Sequence, residues 1–333
     1  MPYQVFQGGR RRRRRAGPIV ALLILLACAG AAAAFLVREK PEPQPAARAT
    51  PPAPLKETGT APLAGGGTAP SPLAVRLDDP RDTVSIDFKK PPRSALLFDL
   101  DTGRVLYRRE PTKVLPIASL TKMMTSLVVA DRVPPGAKVL VTKEALAYQG
   151  SGVGLLPKGK WIGVNTMLHG LLLPSGNDAA IALAQRAAKT VPRFVQLMNR
   201  KAESLGLVCT RFSSPSGFVD KGNHSCASDL AAIARAVLRE PRLARIVARR
   251  EAKLPFPIKG GKLWLYNNNP LLRQGYPGTT GVKTGYTDAA GRCLVATARR
   301  GPIKLGVVLL HSPDPGKQAM QLLDRGFKAS SMP

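Results

Sequence analysis

The stretch Pro116-Ile-Ala-Ser119-Leu-Thr-Lys122-Met-Met-Thr-Ser126 decides how this chain is read. Pro116 suits the first turn of a helix, and the Leu, Met and Val residues from Leu120 to Ala130 give that helix a buried character. Residues three apart on a helix share a face, so Lys122 stands beside Ser119. A serine hydroxyl becomes a strong nucleophile only when a base takes its proton. A lysine serves as that base only where burial or a second cation lowers its pKa. A serine near a helix N-terminus also has free backbone N–H groups close by, useful for an oxyanion. Alone, S-x-x-K is a short and permissive pattern, and most instances are ordinary helices with an outward lysine.

Two further stretches change that weight. Leu171-Leu-Leu-Pro-Ser175-Gly-Asn177-Asp178 joins two apolar helical patterns through a tight connection marked by Pro174 and Gly176. One of Ser175 and Asn177 is suited to relay a proton, the other to bind a substrate carbonyl or the Lys122 amine. The competing use is a cap on the helix from Ala179 to Ala188. Gly281-Val-Lys283-Thr284-Gly285-Tyr286-Thr287 reads as a strand whose glycines let another backbone approach. A peptide laid along that edge would offer its terminal carboxylate to Lys283 and Thr284. Lys283 would also favour neutral Lys122 by like-charge repulsion. The competing use is an exposed edge lysine that blocks aggregation.

S-x-x-K, a Ser/Asn motif and K-T-G, in that order, form the signature of penicillin-binding proteins and serine β-lactamases. The sequence around the three motifs, through Ala180 and Gly291, resembles D-alanyl-D-alanine carboxypeptidases, the low-molecular-mass penicillin-binding proteins. The resemblance covers residues 86–330. It implies Ser119 as the acylated nucleophile, Lys122 as its base and Ser175 as proton relay. It implies Asn177, Lys283, Thr284, Gly285 and Tyr286 as substrate contacts, with the backbone N–H groups of Ser119 and Tyr286 as oxyanion hole. The implied substrate is the D-Ala-D-Ala end of a peptidoglycan stem peptide. β-Lactams are the implied covalent inhibitors, and no cofactor or metal is implied. Some members carry an arginine shortly before K-T-G; here the matching stretch is Asn267-Asn-Asn-Pro-Leu-Leu272, so no arginine is carried over and Arg273 is a candidate and no more. The motifs do not separate a carboxypeptidase from a transpeptidase. A β-lactamase lacks a convincing extra glutamate here. A silent wall-binding protein would need none of Ser119, Lys122 and Lys283 together.

The N-terminal region reads as an export device. Arg10 to Arg15 is an unbroken arginine run, and Ile19 to Val37 carries no charge. About 20 apolar residues span a bilayer, and arginine on the near side predicts that end in the cytoplasm. Residues 1–17 are therefore a basic cytoplasmic segment, and 18–37 a membrane helix with the catalytic domain outside. A cleaved signal sequence is the alternative, using the alanines from Ala27 to Ala34; a lipid anchor through Cys28 fits less well, because the apolar run continues past it. Residues 38–85 read as a Pro/Ala/Gly-rich linker and 86–333 as the catalytic domain.

The chain carries 50 Lys and Arg against 21 Asp and Glu, and +22 of its +29 net charge lies in residues 91–333. Outside a membrane such a domain meets anionic lipid or acidic wall polymer, and the expected topology keeps it from nucleic acid. Cys209 and Cys226 are either a disulfide or two thiols, and Cys293 reads as a packed thiol in a strand. The three histidines show no metal-ligand spacing. Ser94–Leu100 and Arg104–Arg108 around Asp101-Thr-Gly103 read as a hairpin, and the Lys283 strand, Cys293–Ala298 and Ile303–Leu310 as a meander. With helices through 116–240 and again at 315–329, this predicts an α+β domain, one antiparallel sheet packed with a mainly helical lobe. The family fold implied by the resemblance is the same.

Overall fold

The computed structural model describes residues 71–331, apart from 80–81, 219–220 and 258–260. The basic segment 1–17, the membrane span 18–37 and the linker as far as residue 70 lie outside the described residues. No helix among the described residues is long and apolar enough to cross a membrane.

The strands that concern the site are β1 (Ser94–Asp99), β2 (Val105–Arg109), β3 (Glu251–Pro255), β4 (Lys262–Tyr266), β5 (Thr279–Thr287), β6 (Gly291–Arg300) and β7 (Ile303–Leu310). The helices are α1 (Thr121–Arg132), α2 (Val164–Leu172), α3 (Asn177–Ala188), α4 (Val191–Ser204), α5 (Ala227–Arg239), α6 (Pro241–Val247) and α7 (Pro315–Ser330). Five strands form one antiparallel sheet in the order β2-β1-β7-β6-β5. The expected hairpin, meander and C-terminal helix are all present, so the architecture is the predicted α+β arrangement.

Both faces of the sheet are covered, which explains the continuous apolar runs in β6 and β7. Leu96, Phe98, Val295, Val308 and Leu310 join the core of the helical lobe. Ala95, Leu97, Leu294, Ala296, Val307 and Leu309 alternate with them and pack against Ala319, Leu322, Leu323 and Phe327 of α7. Helix α1 is the axis of the helical lobe: every residue from Thr121 to Val129 is buried. Its N-terminus emerges beneath the free edge of β5.

The packed domain starts earlier than the linker boundary at residue 85. Leu73 and Val75 are buried in the lobe core, Arg76 bridges Arg104, and the Val84 N–H donates to Leu106 O at 2.9 Å. The spaced apolar residues Leu73 and Val75 dock despite the surrounding prolines and alanines. Cys209 and Cys226 are joined as a disulfide with Cα atoms 5.6 Å apart. Cys293 is buried in β6, as expected.

Candidate active site

A single 3₁₀ turn, Ala118–Leu120, precedes α1 and carries Ser119 half-buried. Lys122 follows in the first turn of α1, wholly buried. Its Nζ lies 2.8 Å from Ser119 Oγ, 2.6 Å from Asn177 Oδ1 and 2.7 Å from Ser216 O. The last two partners are carbonyl oxygens and can only accept. A neutral lysine therefore gives both its N–H bonds to them and turns its lone pair toward the serine O–H. Burial pushes the Lys122 pKa well below its ordinary value, and nearby Lys283 lowers it further, opposed by Asp178.

The acceptor Ser216 comes from the loop closed by the Cys209–Cys226 disulfide. Gly217 lets that loop press on the nucleophile turn: with φ +72, a Cβ there would fall 2.0 Å from Ala118 O. Pro215 O, in the same loop, accepts from Thr125 Oγ1 at 2.7 Å.

Asn177 is buried and uses both ends of its amide, accepting from Lys122 and donating to Gln149 O. Of its two anticipated contacts, the Lys122 amine is the one present. Neither Ser175 nor Asn177 caps the following helix; Gly176 occupies the cap position without a side-chain bond. Ser175 stands at φ +71, and its buried Oγ has no hydrogen-bond partner among the described residues. A non-glycine residue at such a φ costs of order 1–3 kcal/mol, and its placement here aims an uncommitted hydroxyl at the cleft.

Strand β5 supplies the opposite wall. Gly285 lies against the nucleophile turn, where an added Cβ would stand 3.0 Å from Ile117 O and 3.1 Å from Ser119 N. Glycine is what allows this edge to come so near. Lys283 is buried, and its Nζ donates to Thr284 O at 2.8 Å. Burial lowers its pKa to about 7.

These parts frame a cavity of about 320 Å³ lined by Ser119, Ser151, Ser175, Thr284, Gly285 and Tyr286, and also by Asn268 and Arg292. Lys122, Asn177 and Lys283 stand behind that wall and act through it. Larger cavities of about 620 and 800 Å³ lie elsewhere and touch none of the three motifs, so chemistry rather than size marks the site. Arg273 is exposed and away from the cavity wall; the arginine on the wall is Arg292, opposite Tyr286 in the β5–β6 register.

Besides Ser151 on the wall, sequence reading missed four contributors. Asp178 is buried and its carboxylate accepts from the N–H groups of Val153, Gly154 and Ala179, which fixes the turn around Ser151. Ser216, Asn268 and Arg292 are the others. Asp178 follows the Ser-Gly-Asn motif directly, which was a usable signal. The other three reach the cleft only through tertiary closure.

A serine beside a buried lysine of depressed pKa, with a free hydroxyl across the cleft and an open strand edge, is the arrangement that acyl transfer with a lysine base requires. The model of the D-alanyl-D-alanine carboxypeptidase family matches residues 83–314, and the chain belongs to that family. It is 36% identical over 243 residues to the D-alanyl-D-alanine carboxypeptidase DacF of Bacillus subtilis, covering 71% of this chain and 62% of that one. It is 36% identical over 245 residues to DacB2 of Mycobacterium tuberculosis, covering 71% of this chain and 82% of that one. Among solved structures, a Streptomyces DD-transpeptidase superposes with TM-score 0.68 at 30% identity, over 73% of this chain and 100% of that one. A D-alanyl-D-alanine carboxypeptidase from Mycobacterium tuberculosis gives TM-score 0.69 at 34% identity, over 74% of this chain and 94% of that one. The chain thus spans under two thirds of the Bacillus relative's length.

Proposed function

We propose that this protein is a serine D-Ala-D-Ala carboxypeptidase that removes the terminal D-alanine from peptidoglycan stem peptides. The observation that carries this is the 2.8 Å contact between Ser119 Oγ and a buried Lys122 amine. The stem peptide lies along the free edge of β5. Its terminal carboxylate meets Thr284, with the charge of Lys283 behind it. Ser119 Oγ attacks the carbonyl between the two D-alanines, and its proton passes to Lys122. The backbone N–H groups of Ser119 and Tyr286 receive the oxyanion. Collapse breaks the peptide bond; the proton reaches the departing amine from Lys122 through the Ser175 hydroxyl. Water then attacks the acyl-enzyme, giving one proton back to Ser119 Oγ, and the shortened stem leaves. β-Lactams acylate the same serine and are held there.

The experiment is release of free D-Ala from a stem pentapeptide, run with and without an amine acceptor. Hydrolysis in both conditions supports the carboxypeptidase. Both routes release the terminal D-Ala, so the acyl product decides: a crosslinked product in place of the free tetrapeptide, with little D-Ala released when the amine is left out, makes the protein a D,D-transpeptidase, a reading supported by the match over the whole Streptomyces DD-transpeptidase chain. Labelled penicillin marks the wild type and leaves Ser119→Ala unmarked; equal labelling removes the nucleophile assignment.

Arg10–Arg15 and the uncharged stretch Ile19–Val37 support a place of action at the cell membrane, held by a single span with the catalytic domain outside, the alternative being secretion after signal cleavage. Protease added to intact spheroplasts digests the catalytic domain in this arrangement. Full protection of that domain excludes it.

A further inference from the structure

The β3–β4 hairpin presents two different faces. Ala252, Leu263 and Leu265 turn inward and are buried. Trp264 and Tyr266 turn outward, 53% and 57% exposed. Single exposed aromatics are ordinary, but two at consecutive outward positions of one strand make a patch. Such neighbours stand about 7 Å apart. Lys253 lies opposite Trp264 in the register and sets its Nζ 4.4 Å from the indole centroid; Glu251 lies opposite Tyr266. Two aromatic residues thus follow one another on one face, with an ammonium over the indole and an acidic residue paired with the tyrosine.

The patch is fixed to the cleft. The chain leaves β4 at Tyr266 and enters Asn267, whose side chain donates to Val247 O at 3.2 Å and Arg249 O at 2.9 Å. Next comes Asn268, on the cleft wall; its backbone N–H donates to Leu173 O and its Nδ2 to Pro174 O, both at 3.1 Å. Pro174 directly precedes the relay candidate Ser175. The aromatic row therefore starts two residues from the cleft wall and is tied to the turn that carries Ser175.

We propose that this outward face is a glycan platform, which seats the sugar strand bearing the substrate peptide while the peptide occupies the cleft. This rests on the carboxypeptidase reading above. A pyranose ring has flat C–H faces, slightly positive, that stack on the negative face of an aromatic ring. Lys253 already covers one face of the Trp264 indole, so the sugar stacks on the other, with Lys253 and Glu251 as the nearby polar partners for its hydroxyl and acetamido groups. A stem peptide is a branch on such a strand, so a sugar-binding row leading out of the cleft recognises the polymer rather than the free peptide.

The binding probe is a peptide-free oligosaccharide of β-linked N-acetylhexosamines. The chain has two tryptophans, so a Trp161→Phe background leaves Trp264 as the sole indole reporter. Saturable change in its emission is expected. An unchanged emission at saturating sugar overturns the proposal, and concentration-dependent self-association in sedimentation would then reassign the face to a second copy. For kinetics, the pair Trp264→Ala/Tyr266→Ala should lower kcat/KM on a glycan-linked pentapeptide about tenfold, through KM, and leave the free pentapeptide within about twofold, one good stacking contact being worth roughly that factor. Trp264→Phe/Tyr266→Phe should retain most of the preference. Equal losses on both substrates overturn the platform. Should the wild type release D-Ala from neither substrate, the carboxypeptidase reading fails while the sugar titration still gives its own answer.

Discussion

The two edges of the sheet are handled in opposite ways. At β2 the edge is sealed. The incoming segment pairs Val84 with Leu106, and Arg108 binds Asp82 through Nε at 2.7 Å while its Nη groups donate to Leu77 O and Asp79 O. At β5 the edge is kept near Ser119, with Gly285 allowing the strand close and Thr284 and Tyr286 lining the cavity. An unpaired edge is a hazard for any sheet. Here one edge is closed by the protein's own chain, and the other is left open, for a peptide on the function proposed above. Substitutions at β5 should therefore move catalysis, and those at β2 should move stability.

The largest effect is expected from the base that serves the open edge. Lys122→Ala should slow acylation by labelled penicillin roughly 10³-fold, within the range for general-base loss, with the circular dichroism spectrum preserved. Undiminished acylation would sink the base assignment. Next is Gly285→Ala. Its methyl meets the nucleophile turn at 3.0–3.2 Å and pushes the strand from Ser119 N. A fall in kcat of about 10- to 100-fold, with KM little changed, is expected for loosened oxyanion donors; a change confined to KM would contradict that geometry.

Lys283→Gln sharpens the comparison through pH. In the wild type, Lys283 loses its proton near pH 7, so kcat/KM for a carboxylate-terminated peptide should decline above about pH 7. The variant should lose roughly tenfold in kcat/KM at neutral pH, as one charge-assisted contact disappears. Removing a positive neighbour raises the Lys122 pKa, so the acid limb of its profile should move to higher pH. Stability carries the same signature. The folded pKa of Lys283, about 7, lies below the ordinary 10.5, so the unfolded chain binds more protons between those values. Stability gained from this group is complete above the unfolded value and is lost as pH falls toward 7. Denaturant titrations should show that slope flattened in Lys283→Gln. The smallest effect belongs to the sealed edge: Asp82→Ala should cost about 1 kcal/mol in a denaturant titration, the value of a part-exposed ion pair, and leave D-Ala release unchanged. A large drop in activity would mean that the β2 edge communicates with the cleft.

The hairpin at β1–β2 and the meander β5–β7 were legible because turn signals, Asp101-Thr-Gly103 and Gly301-Pro302, bracket strand-forming runs. The relation of Ser119 to Lys122 was legible because helical spacing is local. The β3–β4 hairpin was harder to see, since Pro255 argues against a strand interior and its edge position is a tertiary fact. The docking of Leu73 and Val75 was masked by their proline- and alanine-rich setting. Ser216 and Arg292 had no local signal: one enters through the disulfide-closed loop, the other through the register that sets it opposite Tyr286.

The three partners of the Lys122 amine have a consequence in time. Ser119 is 3 residues away, but Asn177 and Ser216 are 55 and 94 residues away in sequence. In an extended chain the amine is hydrated and protonated, and Ser119 is an ordinary alcohol. The amine gains the burial and partners that lower its pKa only when helices α1 and α3 and the disulfide-closed loop have come together. An unfolded chain therefore lacks the surroundings that depress the lysine, and the pair acquires them only with the tertiary fold.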